Sequence, residues 1–136
     1  MSKLFFDSDT ILDILLQRQP YFEASADLFK ICGEGNHQCF ASVHSIINVH
    51  YIAKKVHGEH NTRRSLQMLT KVIAVFEENN FHIQQALSSS FTDFEDAVQY
   101  HAAVSANADY IITRNTKDYT HSAIPVLTAE QFLNTL

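Results

Sequence analysis

Hydrophobic positions along this chain alternate between short continuous runs and longer stretches at helical spacing. Leu4-Phe5-Phe6 is a continuous apolar run and reads as a buried strand, whereas Ile11, Leu12, Leu15 and Leu16 form the stripe of a helix starting near Thr10. Gln19-Pro20 opens a second helix, because proline suits a first helical turn. Phe22, Ser25, Ala26, Phe29 and Cys32 share its face, and Gly33-Glu-Gly35 stops it. Gln38–Ala41 predicts a second strand. Ser42 then caps a helix running to about Val56, with Val43, Ile46, Ile47 and Tyr51 inward and Gly58 after its end. The spacing of Leu66, Leu69, Val72, Ile73 and Phe76 predicts a helix over 59–76, with Arg63, Arg64, Gln67 and Lys71 on its outer face.

Phe81–Ile83 predicts a third strand, and Ser88-Ser-Ser-Phe-Thr a polar break. Thr92 then caps a helix from Asp93 to about Asn107 with Phe94, Ala97 and Val98 inward. Its acids lie in the first turn, where the helix dipole favours them. Asp109–Thr113 is the clearest strand, Arg114–Tyr119 a loop or single turn, and Pro125–Leu127 a last strand before a helix capped by Thr128. Strands alternating with helices, joined by connections too long for hairpins, imply a parallel sheet covered on both faces. The 136 residues form one domain, 1–136, and with only 3 Gly and 2 Pro there is no linker or repeat to divide it.

No apolar stretch approaches the length of a membrane span and the N-terminus has no secretory-signal pattern, so a soluble cytoplasmic protein without membrane association is expected. Cys32 and Cys39 are expected to be two reduced thiols. A Cys-His-Cys metal knot with His37 lacks a nearby fourth ligand. The formal charge of −5 argues against a surface coated with positive charge. Yet Lys54, Lys55, Arg63, Arg64 and Lys71 provide half of all 10 basic residues and have one acid, Glu59, among them, a local strip suited to phosphate contact.

The acids carry the chemistry. Asp7 and Asp9 close the first strand, Asp13 lies one helical turn on, Asp93, Glu95 and Asp96 open the late helix, and Asp118 follows the Thr113 strand. Carboxylates gathered where strands end are costly through desolvation and mutual repulsion unless a cation lies among them. The carboxyl edge of an open α/β sheet is where ligands bind. Should the Thr113 strand neighbour the first, Asp7, Asp96 and Asn115 or Asp118 share one mouth. Oxygen ligands from separate elements suit Mg²⁺ or Mn²⁺. There is no nucleophile elbow and no Gly-rich phosphate loop.

These segments resemble those of PIN-domain proteins, including VapC-type toxins. Leu-Phe-Phe-Asp7-Ser-Asp9-Thr-Ile-Leu looks like the family's opening, and Asp93-Phe-Glu-Asp96 like its third acidic segment. Thr113-Arg114-Asn115-Thr-Lys-Asp118-Tyr119 looks like its Thr-Arg-Asp/Asn-x-x-Asp-Phe loop, and Pro125-Val-Leu-Thr-Ala-Glu-Gln-Phe-Leu like its closing strand and helix. The resemblance implies an α/β, PIN-like three-layer sandwich with a central, mostly parallel sheet of four to five strands and helices on both faces. It also implies a Mg²⁺- or Mn²⁺-dependent endoribonuclease acting on RNA, an antitoxin protein partner and a homodimer. Asp7 and Asp96 would hold the metal, Asp9 and Asp93 would support the pocket, Thr113 and Asn115 would orient water or metal, and Asp118 would be an outer acid. Arg114 and Lys117, with Lys54, Lys55, Arg63 and Arg64, would grip RNA. Asn48 stands where the family usually has an acid, and Asn115 where it often has Asp.

Two other readings fit the same residues. Asp7-Ser-Asp9-Thr10 matches the Asp-x-Asp motif of haloacid-dehalogenase-type phosphatases, with Asp7 as nucleophile and Asp9 as acid/base; that family also needs a later Lys and a paired-Asp motif. With Asn48 in place of an acid, a PIN-like module that binds RNA or protein without cutting is the third.

Overall fold

The computed structural model describes residues 1–136 and contains one five-stranded sheet in which every pairing is parallel. The strands are β1 (Lys3–Phe6), β2 (Gln38–Ser42), β3 (Ile73–Phe76), β4 (Tyr110–Ile112) and β5 (Val126–Leu127), in the order β3-β2-β1-β4-β5. Seven helices complete the chain: α1 (Ser8–Leu15), α2 (Phe22–Gly33), α3 (Val43–His57), α4 (Glu59–Leu69), α5 (Asn80–Leu87), α6 (Phe94–Ser105) and α7 (Ala129–Leu133), with a 3₁₀ turn at Thr116–Tyr119. The chain winds outward from β1 to β3, then returns to lay β4 against the other side of β1. That reversal opens a crevice beyond the ends of β1 and β4.

β1 is central, so both of its faces are covered and the whole run Leu4-Phe5-Phe6 is buried. Leu4 and Phe6 pack with Ile11, Leu12, Leu28, Val49, Ile112 and Phe132 in the larger core, beneath α1, α2, α3 and α7. Phe5 points the opposite way, into a smaller core with Ala102, Ala103, Ala106, Ile111 and Tyr119. Ala102 and Ala103 on α6, with Ala106 just past its end, let that helix approach the sheet closely. Burial of each phenylalanine contributes about 1.5–3 kcal/mol. The three-layer α/β arrangement and the β1–β4 adjacency agree with the sequence reading.

Several boundaries differ from expectation. α4 ends at Leu69, and Ile73–Phe76 is a strand on the sheet edge rather than the tail of that helix. The expected strand Phe81–Ile83 is the first part of α5, because Asn79 and His82 form a reciprocal capping box that starts a helix there. Pro20 lies before α2, whose cap is Tyr21. Leu28 is the fully buried residue of that helix, while Ala26 and Phe29 are half-buried. Ser42 caps α3 as expected, but the helix is rotated: Ser45, Val49 and Ala53 face inward, and Ile47 and Tyr51 are 61% and 55% exposed. Asp93, not Thr92, caps α6, and Phe94 faces out. Cys32 and Cys39 are not free thiols. They form a disulfide between the end of α2 and the start of β2, with Cα atoms 6.2 Å apart, which also removes them as metal ligands.

Candidate active site

The crevice beyond β1 and β4 is an acidic cleft of about 230 Å³ lined by Asp7, Ser8, Asp9, Asn48, Asp93, Glu95, Asp96, Gln99, Asn115 and Asp118, with no hydrophobic side chain among them. Each arrives through local structure. Asp7 is the N-cap of α1, with Oδ1 accepting the Ser8 amide at 2.7 Å, while its own amide extends the ladder by donating to Ile112 at 2.9 Å. Thr113 follows β4 and is fully buried, and its amide donates to Leu127 at 3.0 Å. Asp93 caps α6 by accepting the Asp96 amide at 2.9 Å, which turns the Asp96 side chain toward the cleft at the start of the helix. Asp118 enters on the 3₁₀ turn, and Asn48 enters from α3 with its amide donating to Ser8 Oγ at 3.3 Å.

Thr113 Oγ1 lies 2.9 Å from Asp7 Oδ2 and 3.1 Å from Asp9 Oδ2. A hydroxyl has one proton, so it serves one carboxylate at a time. Asp9 has other donors, the Arg114 amide at 3.2 Å and Asn115 Nδ2 at 3.1 Å. Asp7 has the hydroxyl of Tyr119 at 3.2 Å. Asp96 makes no side-chain hydrogen bond within the protein. Burial, then the Asp9 charge, push the Asp7 carboxyl up to about 6 against the opposing effect of Thr113, Ser8 and Gln99. Burial, then the charges of Asp7, Asp93, Asp118 and Glu95, push Asp96 up to about 7. Burial, then the charges of Asp7, Asp96 and Asp9, push the Tyr119 phenol strongly up, so it stays protonated.

Two up-shifted carboxylates facing each other, with no basic side chain lining the cleft, form a donor set that a hard dication suits. No three His, Cys, Asp or Glu side chains are grouped closely enough to enclose an ion. Two carboxylates with the remaining positions left to water is the mode Mg²⁺ prefers, so the residues fit such an ion.

Of the residues singled out in the sequence, Asp7, Asp9, Asn48, Asp93, Asp96, Asn115 and Asp118 line this cleft, and Thr113 supports it from below. The basic residues lie elsewhere. Arg114 is turned away, its Nε 2.9 Å from Asp13 Oδ2 and its guanidinium stacked on Tyr21 at 4.2 Å. Lys117 is exposed on the turn that carries Asp118. Lys54 and Lys55 cover the Tyr51 ring two turns along α3 from Asn48, roughly 9–10 Å at the helical rise. Arg63 pairs with Glu59, and Arg64 is exposed on the same helix. Residues not anticipated are Ser8, Gln99 and Tyr119, while Glu95 lines the cleft with the other acids of its helix start. Gln99 carried a signal: a polar side chain three residues after Asp96 on a helix otherwise alanine-rich inward, now buried and held by Ser45 Oγ donating to its Oε1 at 2.8 Å. Glu95 pairs with His44 at 2.5 Å on the rim.

Comparison with known proteins adds to this geometry. A family model described as "PIN domain" matches residues 3–117. No curated relative matches in sequence. Among solved structures, the DNA-bound VapBC of Salmonella typhimurium superposes with a TM-score of 0.71 at 14% identity, over 95% of this chain and 99% of that one. A toxin–antitoxin complex from Klebsiella pneumoniae gives 0.65 at 23% identity, over 93% and 97%. VapC20 of Mycobacterium tuberculosis, described as a sarcin–ricin loop cleaving toxin, gives 0.63 at 10% identity, over 79% and 86%. At these identities the solved structures speak for the fold alone.

Proposed function

Because this chain belongs to the PIN-domain family, we propose that it is a Mg²⁺- or Mn²⁺-dependent endoribonuclease that hydrolyses RNA phosphodiesters and serves as the toxin of a cytoplasmic toxin–antitoxin pair. The observation that carries this reading is the acidic cleft itself. Asp7 and Asp96 are held up to about 6 and about 7 in a crevice lined by no compensating cation. When bound, the dication supplies water activation and offsets charge on the scissile phosphate. Asp7 and Asp96 would hold it. Thr113 and the Arg114 and Asn115 donors keep Asp9 in place beside Asp7, and Asp118 with Asn115 borders the mouth where the phosphate would enter.

The phosphatase reading of Asp7 and Asp9 is set aside, since the family is now assigned and the Asp9 carboxylate is committed to three donors on the β4 loop. An antitoxin partner is supported by the complexes among the structural neighbours. Self-association is supported by Val43, Ile47 and Tyr51, which are exposed at successive turns of α3. Grip on the RNA backbone would come from Lys117, exposed on the turn that carries Asp118, and the Lys54/Lys55/Arg63/Arg64 strip; Arg114, paired with Asp13, is less free for it. No helix is long and apolar enough to cross a membrane.

Incubating the purified protein with mixed RNA and Mg²⁺ or Mn²⁺, beside an Asp7→Asn control, tests the proposal. Metal-dependent fragments should form with the wild type and fall at least about 100-fold with the variant, since one metal-holding carboxylate is lost. Equal cleavage by both proteins would remove Asp7 from the mechanism. RNA binding without cleavage would favour the non-cutting module, the reading supported by Asn48 in the cleft where an acid is usual.

A further inference from the structure

We propose that Tyr119 is a positioning residue whose hydroxyl fixes the Asp7 carboxylate in the orientation that receives the dication. The idea rests on the metal-binding reading above and extends it to a residue outside the acidic set. Tyr119 is 3% exposed, and its hydroxyl has Asp7 Oδ2, at 3.2 Å, as its hydrogen-bond partner. A buried hydroxyl needs a partner, and this one has no competing acceptor. The Thr113 proton, by contrast, is contested between Asp7 and Asp9. Whenever Thr113 turns to Asp9, Tyr119 is the donor that remains on Asp7 Oδ2.

The ring cannot easily follow another rotamer. It belongs to the small core with Phe5, Ala102, Ala103, Ala106 and Ile111, and Phe91 packs edge-on to it with centroids 6.2 Å apart. Tyr119 at Oδ2 and the Ser8 amide at Oδ1 hold the Asp7 carboxylate from both oxygens, with Thr113 adding to Oδ2 when its proton is not on Asp9. An ion therefore meets a carboxylate already held in place. Phenylalanine, which the loop pattern resembled by Thr113–Tyr119 carries at this position, fills the same space and leaves Oδ2 without its uncontested donor.

Partners that orient a metal-ligating carboxylate contribute about 10- to 100-fold to affinity. Calorimetric titration with Mn²⁺ of the wild type, Tyr119→Phe, Asp7→Asn and the double variant tests the proposal. Tyr119→Phe should bind Mn²⁺ about tenfold more weakly, with its metal-free fold retained by circular dichroism. In the Asp7→Asn background the same change should have no further effect. The side-chain carboxyl ¹³C signal of Asp7 in metal-free protein should shift in Tyr119→Phe while that of Asp96 stays in place, a signature that ring packing alone would not produce. Wild-type affinity in Tyr119→Phe, or an equal loss with and without Asp7, would overturn the proposal. Failure of the wild type to bind Mn²⁺ would instead remove the metal reading, and an unmoved Asp7 signal would then show that Tyr119 does not hold that carboxylate either.

Discussion

Helix α1 presents two buried aspartates with opposite provisions for their charge. Asp13 is fully buried, and the fold brings it a cation: Arg114 Nε lies 2.9 Å away, clamped over Tyr21. Asp7, one turn and a half earlier, is nearly as buried, yet its surroundings are neutral donors and more acids. Both carboxyls are raised from the ordinary value, and burial is the first cause in each case. At Asp13 the Arg114 charge, helped by Arg18, works against burial without overcoming it, and the Asp9 charge adds to the rise. A carboxylate supplied with its own arginine is a fastening between α1 and the β4 loop. One left among other acids is a place for a charge from outside.

Removing the internal cation is the hardest blow to this contrast. Arg114→Ala should lower stability at neutral pH by about 3 kcal/mol, the scale expected when one member of a buried ion pair is left alone, and chemical denaturation measures it. A loss below about 0.5 kcal/mol would place that change within the ordinary range of surface substitutions and end the description of Asp13–Arg114 as a fastening.

The second test reads the cleft. The folded-state values of Asp7 and Asp96 lie above the ordinary 3.8, so protonation favours the fold: their contribution is fully present below about pH 4 and is lost as pH rises through about 6 and about 7. Metal-free protein should therefore melt lower at pH 8 than at pH 5.5. Asp96→Asn should recover a few degrees at pH 8, and Mn²⁺ should stabilise the wild type more than the variant. Thermal scans at the two pH values decide this, and a variant that melts no higher at pH 8 would mean the cleft acids do not repel one another. The smallest effect belongs to Asn48→Asp, which should tighten Mn²⁺ binding a few-fold by adding a carboxylate to the cleft wall, as isothermal titration would show.

The parts of this arrangement visible in the sequence are those governed by neighbours in the chain. Leu4–Phe6 and Tyr110–Ile112 are short apolar runs ended by polar residues, and Ser42 and Thr128 cap helices through contacts three residues ahead. Placement of acids at strand ends therefore located the cleft. The misreadings have a different origin. Apolar spacing continues from Leu66 across Thr70-Lys71 to Phe76, so helix and strand could not be separated by period, and His82 is an unusual member of a capping box. The rotation of α3 depends on what packs against it, since Ile47 and Tyr51 are as apolar as the Val49 and Ala53 that are buried. The side toward which Arg114 turns was equally hidden, because its partner Asp13 is about a hundred positions distant.

The sheet order has a consequence for biosynthesis. Asp7 leaves the ribosome 106 residues ahead of Thr113 and 112 ahead of Tyr119, both on the loop that follows the strand completing its surroundings. A growing polypeptide of this topology thus has no finished cleft until β4 has emerged and paired with β1, so whatever the cleft does waits on that late strand.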